Sequence, residues 1–264
     1  MIHSLQRMDL SEFKNFATEL AEISGQLIRE IWDEDDIGLT FKSDDTPVTR
    51  ADRDAEAVMR RMINKRYPEH GIIAEEYGNE NEDAEFVWIL DPIDGTKSFM
   101  SHVPLFGTLI GLLHKGEPIV GVINQPILRQ LALGDNQTTT LNGKPVSARP
   151  QMDIGRAVML TTDPNLIELT DDIPGLKKLV QSVYLRRTWG DCYGYLLVAT
   201  GRADIMMDPI LAPWDLLPLV PVMRGAGVVI TDWQGGKPKL EDTSSAVAAH
   251  PFLHQEIMRA LRKA

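Results

Sequence analysis

The stretch Glu85–Thr96, reading EFVWILDPIDGT, constrains this chain more than any other. Phe86-Val87-Trp88-Ile89-Leu90 is an apolar run of the kind that forms a buried strand, and it passes directly into Asp91-Pro92-Ile93-Asp94-Gly95-Thr96. Two carboxylates at the end of such a strand repel each other and resist burial unless a cation or hydrogen-bond donors offset them. Magnesium suits the position, because it takes carboxylate and carbonyl oxygens and keeps waters for a phosphorylated ligand. Gly95 allows the backbone close to that ligand, and Thr96 adds a hydroxyl beside its own N–H. A fold for this chain must therefore open a polar site at the end of a core strand.

The rest of the chain supplies elements on both sides of that strand. Leu10, Phe13, Phe16, Leu20, Ile23, Leu27 and Ile31 recur at helical spacing, which predicts a helix over Asp9–Trp32. The polar segment Thr40–Thr49 reads as a loop or short hairpin before a second helix, Arg50–Arg66. On their own, Lys42, Asp44, Asp45 and Asp52 read as a solvated loop and the first turn of a helix, where the dipole favours acids. Ile72-Ile73-Ala74 repeats the central pattern, an apolar run ending in acids, Glu75-Glu76. If the two strands are neighbours, Glu75 can share a cation with Asp91.

Pro104–Leu113, Pro118–Asn124 and Leu131–Leu133 then predict an antiparallel meander, with a further tight turn at Asn142-Gly143. The second half offers a strand at Arg156–Leu160, a helix near Leu176–Val183 and a buried helix over Cys192–Thr200 closed by Gly201. A strand at Asp204–Asp208 follows, with a helix at Leu216–Met223 that Pro218 and Pro221 should kink or delay. A strand ending at Thr231 and a closing helix over Phe252–Leu261 complete the reading. There is no internal repeat; the chain reads as one catalytic domain, 1–264, with lobes 1–150 and 151–264 meeting near Gln151.

With 264 residues, 43% of them hydrophobic, the chain can bury a substantial core. Its formal net charge of −11 argues against nucleic acid or an anionic membrane as partner and favours a cationic or metal-bound small molecule. The single cysteine, Cys192, and charges spread through the first twenty residues predict a reducing, cytoplasmic setting without a secretory leader. Scattered histidines exclude a histidine zinc motif, glycine-rich nucleotide loops are absent, and Ser98 and Ser101 have no evident base. The acids at strand ends carry the chemical signal.

Trp88–Thr96, together with Ala74-Glu75-Glu76 and Pro213-Trp214-Asp215, resembles the signature set of the inositol monophosphatase family of metal-dependent phosphatases. The resemblance implies an α/β, layered αβαβα sandwich with mixed and antiparallel sheets, assembled as a homodimer. It implies one magnesium held by Glu75, Asp91 and the carbonyl of Ile93, a second held by Asp91, Asp94 and Asp215, and a third, looser ion near Glu75. Gly95 and Thr96 would hold the phosphate, and Thr96, backed by Asp52, would orient the attacking water. Glu75, Asp94 and Asp215 would thus face the substrate as well as the metal. Two departures stand out: Ala74 replaces a usual glycine, and Leu216-Leu217-Pro218 replaces small residues.

For the ester itself, Asp191, Asp208 and Arg187 are the candidates. The string RTWGDCYGYLLVATGRAD resembles the histidinol-phosphate phosphatase branch of the family, and carboxylates suit the ammonium and imidazole of that substrate. Asp191 also reads as a helix cap. Three readings stay open at this point: a histidinol-phosphatase of histidine biosynthesis, an inositol or broader sugar monophosphatase, and a catalytically inactive phosphoester-binding homologue.

Overall fold

The computed structural model of the chain describes residues 8–150, 153–165, 173, 175–240 and 243–262. Helix α1 (Ser11–Trp32) begins two residues later than the pattern suggests, and its buried stripe is Phe16, Ala17, Leu20, Ala21, Ser24, Ile28 and Ile31. A two-stranded hairpin, β1 (Thr40–Phe41) and β2 (Pro47–Val48), leads into α2 (Arg50–Arg66). Then come β3 (Gly71–Ala74), β4 (Phe86–Asp94), the short α3 (Thr96–Met100), β5 (Gly107–His114), β6 (Glu117–Gln125), β7 (Gln130–Gly134), β8 (Thr139–Leu141) and β9 (Lys144–Val146). These seven strands form one sheet in sequence order. Strands β3 and β4 run parallel, with Ala74 opposite Leu90, and every later pair is antiparallel. The expected meander is present, and it extends to the edge through the Asn142-Gly143 turn.

The second half builds a five-stranded sheet in the order β11-β10-β12-β14-β13. Its elements are β10 (Val158–Leu160), α4 (Leu176–Ser182), β11 (Leu185–Arg187), α5 (Asp191–Ala199), β12 (Ile205–Leu211), α6 (Pro213–Leu216), α7 (Leu219–Gly225), β13 (Val229–Thr231), β14 (Ser244–Ala249) and α8 (Pro251–Leu261). Of the strand expected over Arg156–Leu160, β10 covers Val158–Leu160, while Arg156 ends a single 3-10 turn that begins at Ile154. The helix expected over Leu216–Met223 is two helices, starting at Pro213 and interrupted at Leu217-Pro218. Proline has no N–H to continue the ladder, so the chain turns there. The expected lobe boundary at Gln151 lies outside the described residues.

Both sheets are covered on both faces, which gives the αβαβα layering. Helices α1 and α2 pack on one face of the large sheet through Phe16, Leu20, Met59 and Ile63 against Trp88, Leu90, Ile110 and Val122. The other face, carrying Leu109 and Ile123, meets α5 and α7, which in turn cover Met206, Ile230, Ala246 and Ala248 of the small sheet. Helices α4 and α8 close the far side over Met159, Ile205, Met207 and Val247. Because β4 is buried on both faces, its apolar residues run continuously instead of alternating. No helix among the described residues is long and apolar enough to cross a membrane.

Candidate active site

The parallel pairing of β3 and β4 brings their acidic ends side by side. Asp91, Asp94 and Asp215 offer carboxylate oxygens that all lie within 4.8 Å of one another. At that separation, and with an effective dielectric of about 20, two charges repel by about 3.5 kcal/mol. Burial of Trp88, Ile89 and Leu90, each wholly enclosed, contributes about 1.5–3 kcal/mol apiece and holds the strand end in place against that repulsion. Burial first, and then the neighbouring acids, push Asp91 and Asp94 well above the usual carboxylate range. The same causes, with burial first, push Asp215 up to about 6. Such a set either shares protons or holds a cation, and a hard divalent ion matches its all-oxygen donors.

Local structure aims each group. Asp91 accepts from the N–H of Ile93 at 3.0 Å, which turns the backbone across Pro92. Asp215 sits in the first turn of α6 and accepts from the N–H of Ala212 at 3.0 Å. The two departures from the family pattern are accommodated here. Ala74 is buried against Ile72 and Trp88, while Leu216 and Leu217, each 1% exposed, fill the core behind the site.

Glu75 stands next to the trio, and its charge is the first cause after burial of the upward shift at Asp91. The ammonium of Lys42, from the β1–β2 turn, bridges Glu75 at 3.0 Å and Glu76 at 2.7 Å. Burial works against that ammonium, but the two glutamates outweigh it and hold the lysine above its ordinary range. The bland surface reading of Lys42 is thus replaced by a link between hairpin and site, whereas Asp44 and Asp45 are indeed exposed.

Asp52 is 1% exposed and has two functions. One oxygen accepts from the N–H and hydroxyl of Thr49 and caps α2; the other faces the hydroxyl of Thr96 at 3.3 Å. Burial, then repulsion from Glu76 and Glu75, raise Asp52 to about 6 against the pull of Thr49. The Thr96 hydroxyl also lies 3.1 Å from the carbonyl of Ile93. Gly95 precedes α3 with φ +95°, a left-handed conformation that side chains resist. A methyl group there would lie 2.9 Å from Asp191 Oδ2 and 3.0 Å from the carbonyl of Leu105.

Glu75, Gly95, Thr96 and Asp191 open onto a cavity of about 350 Å³ whose wall also includes Thr46, Pro47, Lys97, Ser98, Thr162, Thr188 and Gly190. That volume admits a small ester and little more. A larger groove of about 430 Å³ lies between α1 and α2, but its ionisable residues Glu30, Asp54 and Arg61 are exposed, so nothing there is desolvated for chemistry.

Asp191 reaches the cavity from the start of α5, and burial, followed by repulsion from Asp208 and Asp215, pushes it up to about 7 while Lys97 pulls it down. Asp208 is a correction to the sequence reading. It is 1% exposed, and its two oxygens are taken by the N–H of Thr162 at 2.9 Å and the hydroxyl of Tyr195 at 3.0 Å. It therefore backs the wall instead of facing the ligand. Arg187 is exposed on β11, and its Nη1 donates to the carbonyl of Arg186 at 2.8 Å.

Sequence reasoning overlooked Lys97, which follows the glycine–threonine pair directly, and Glu56. Glu56 is fully buried on α2 and accepts from the N–H groups of Glu76 at 2.8 Å and Tyr77 at 3.0 Å. Arg60 pairs with it at 2.8 Å. It thereby shapes the turn that presents Glu75. Only its i, i+4 spacing from Arg60 was visible beforehand.

The sequence matches the model of a family described as the inositol monophosphatase family over residues 9–264. It is 41% identical over 247 residues to "Bifunctional phosphatase IMPL2, chloroplastic" of Arabidopsis thaliana, spanning 92% of this chain and 71% of that protein. It is 34% identical to a "Histidinol-phosphatase" of Chlorobaculum parvum across 93% of this chain and 95% of that one. Among solved structures, an inositol monophosphatase from Zymomonas mobilis superposes with a TM-score of 0.85 at 32% identity, covering 97% of this chain and 100% of its own.

Proposed function

The chain belongs to the inositol monophosphatase family of metal-dependent phosphatases, and from that premise we propose that it hydrolyses L-histidinol phosphate to L-histidinol and phosphate. The observation that carries the choice of ester is the Asp191 carboxylate, held at the cavity wall beside Gly95. A carboxylate there complements an ammonium and has nothing to gain from a neutral polyol that a shared hydroxyl would not supply equally. The relative from Chlorobaculum parvum named a histidinol-phosphatase, similar along nearly its whole length, supports the same choice.

Asp91, Asp94 and Asp215 would hold magnesium, with Glu75 and the carbonyl of Ile93 on the Asp91 side. Bound there, magnesium supplies positive charge to the phosphate oxygens and acidifies water. The chain's own groups do the rest. The main-chain N–H groups of Gly95 and Thr96 orient the phosphate. Thr96, donating its hydroxyl proton to Asp52, keeps oxygen lone pairs to accept from the attacking water. Asp52, raised to about 6, is the nearby carboxylate matched to receive that proton through Thr96 near neutral pH. Asp191 fixes the amine end of the ester, and Lys97 adds positive charge at the same wall.

Phosphate release from L-histidinol phosphate and from inositol 1-phosphate, assayed side by side with magnesium, tests the reading. A much larger kcat/KM on histidinol phosphate is expected. Faster turnover of the inositol ester would move the assignment to the second reading, an inositol or sugar monophosphatase, which the Zymomonas mobilis structure favours. Turnover of neither would leave a phosphoester-binding homologue.

A further inference from the structure

The wall that carries Asp191 is fixed by bonds that the hydrolytic reading does not use. Asp191 has φ +50°, a left-handed conformation that a residue with a Cβ avoids unless its surroundings impose it. Its N–H donates to the hydroxyl oxygen of Thr162 at 2.9 Å. The N–H of Thr162 donates to Asp208 at 2.9 Å, and Asp208 is held from its other oxygen by the hydroxyl of Tyr195 at 3.0 Å. Tyr195 lies one turn beyond Asp191 on the same face of α5, so the circuit returns to the helix it started from. Gly190 closes the joint: a Cβ there would sit 2.3 Å from the Cα of Thr162. On β12 Asp208 shares its face with Met206, toward α5, so the strand alternation itself delivers the carboxylate to this circuit.

We propose that Asp208, Tyr195 and Thr162 form a positioning unit that locks the left-handed turn at Asp191, and that this lock sets the preference of the site for a phosphate ester bearing a cationic amine over a neutral polyol ester. The proposal deepens the reading of Asp191 as the partner of the substrate ammonium and rests on it. With the lock intact, the Asp191 carboxylate stays within reach of Gly95 and of the ester bound there. With Thr162 unable to accept, the turn relaxes toward right-handed backbone and the carboxylate swings off the cavity. Asp208 acts through the other two residues and makes no contact with substrate.

The test compares Thr162→Val, which keeps the shape and loses the acceptor, with Thr162→Ser, which keeps the hydroxyl. Thr162→Val is expected to lower the ratio of kcat/KM for L-histidinol phosphate to that for inositol 1-phosphate by about fivefold, the value of one ordinary hydrogen bond. The loss should lie in KM for the cationic ester, Thr162→Ser should restore the ratio, and Tyr195→Phe should shift it in the same direction by less. In an Asp191→Ala background, Thr162→Val should cost nothing further. An unchanged ratio, or losses that simply add in the double variant, overturns the proposal. A crystal structure of Thr162→Val decides the lock without any substrate: Asp191 still left-handed, with its carboxylate beside Gly95, overturns it. If Asp191→Ala alone keeps the wild-type KM for histidinol phosphate, the substrate reading of Asp191 falls and takes the specificity claim with it, while that crystal structure still judges the turn.

Discussion

Replacing Asp91 with asparagine separates the fold from the metal site. The substitution keeps the shape and an oxygen to accept from the N–H of Ile93, and it removes the charge at the centre of the acid set. Wherever Asp91 and a neighbour within 4.8 Å are both ionised, the substitution removes a repulsion of about 3.5 kcal/mol or more at an effective dielectric of about 20. Without divalent ion, therefore, Asp91→Asn should melt no lower than wild type, and its advantage should grow between pH 6 and pH 8 as the other acids ionise. With magnesium at about one hundred times its dissociation constant, wild type gains about 2.7 kcal/mol. For a domain of this size that is a rise of about 5–10 °C in Tm. Asp91→Asn should lose that rise and all phosphatase activity together. Differential scanning calorimetry in chelator and in magnesium, paired with phosphate release, reads both. A magnesium-induced rise equal to wild type would show that the ion sits elsewhere; a much lower melting point in chelator would make Asp91 a structural residue.

Three further outcomes follow from the same geometry. Asp52 and Asp215 at about 6 and Asp191 at about 7 hold protons in the folded chain that the unfolded chain, with aspartates near 3.8, has released. The metal-free protein should therefore lose stability as pH rises from about 4 to 7, and a flat calorimetric profile over that window contradicts the assigned burial. Glu56→Ala leaves Arg60 paired only with the half-exposed Glu80 and the Gly78 carbonyl and frees the Glu76 and Tyr77 amides; urea titration should show a loss of about 1–3 kcal/mol. Gly190→Ala forces a methyl group into Thr162; a loss of about 1–3 kcal/mol is expected, with a higher KM for histidinol phosphate, and wild-type values for both would remove the joint from the site.

Much of this architecture was readable because its elements obey simple periods. The stripe of α1, the continuous apolar run of β4 and the meander β5–β7 are each dictated by burial on one face or two, and their acidic ends could be seen to converge once β3 and β4 were paired. Strand β14 was not readable. Its Ser-Ser-Ala-Val-Ala-Ala sequence has little intrinsic strand preference, yet it lies second from the edge of the small sheet, its last four residues buried where α5, α6 and α8 pack against it. Small side chains fit there because of neighbours far away in sequence. The same limit applies at the site. Glu75, Asp91, Asp94 and Asp215 announced themselves by motif, whereas Asp208 looked like a ligand contact until Thr162 and Tyr195 were seen to occupy both its oxygens. A bond between residues 162 and 191, or 162 and 208, leaves no local trace in the sequence.

Cys192 adds a practical consequence. Its backbone N–H bonds Asp94, its sulfur sits where a methyl group on Gly107 would lie only 2.8 Å away, and burial, then the neighbouring acids, hold the thiol well above its normal range. A sulfur so enclosed reacts with an alkylating probe only after α5 lifts away from the large sheet. As the sole thiol of the chain, it is an intrinsic clock: the labelling rate reports how often the molecule opens at its centre, and a bound ion that ties α6 and β4 together should slow that clock.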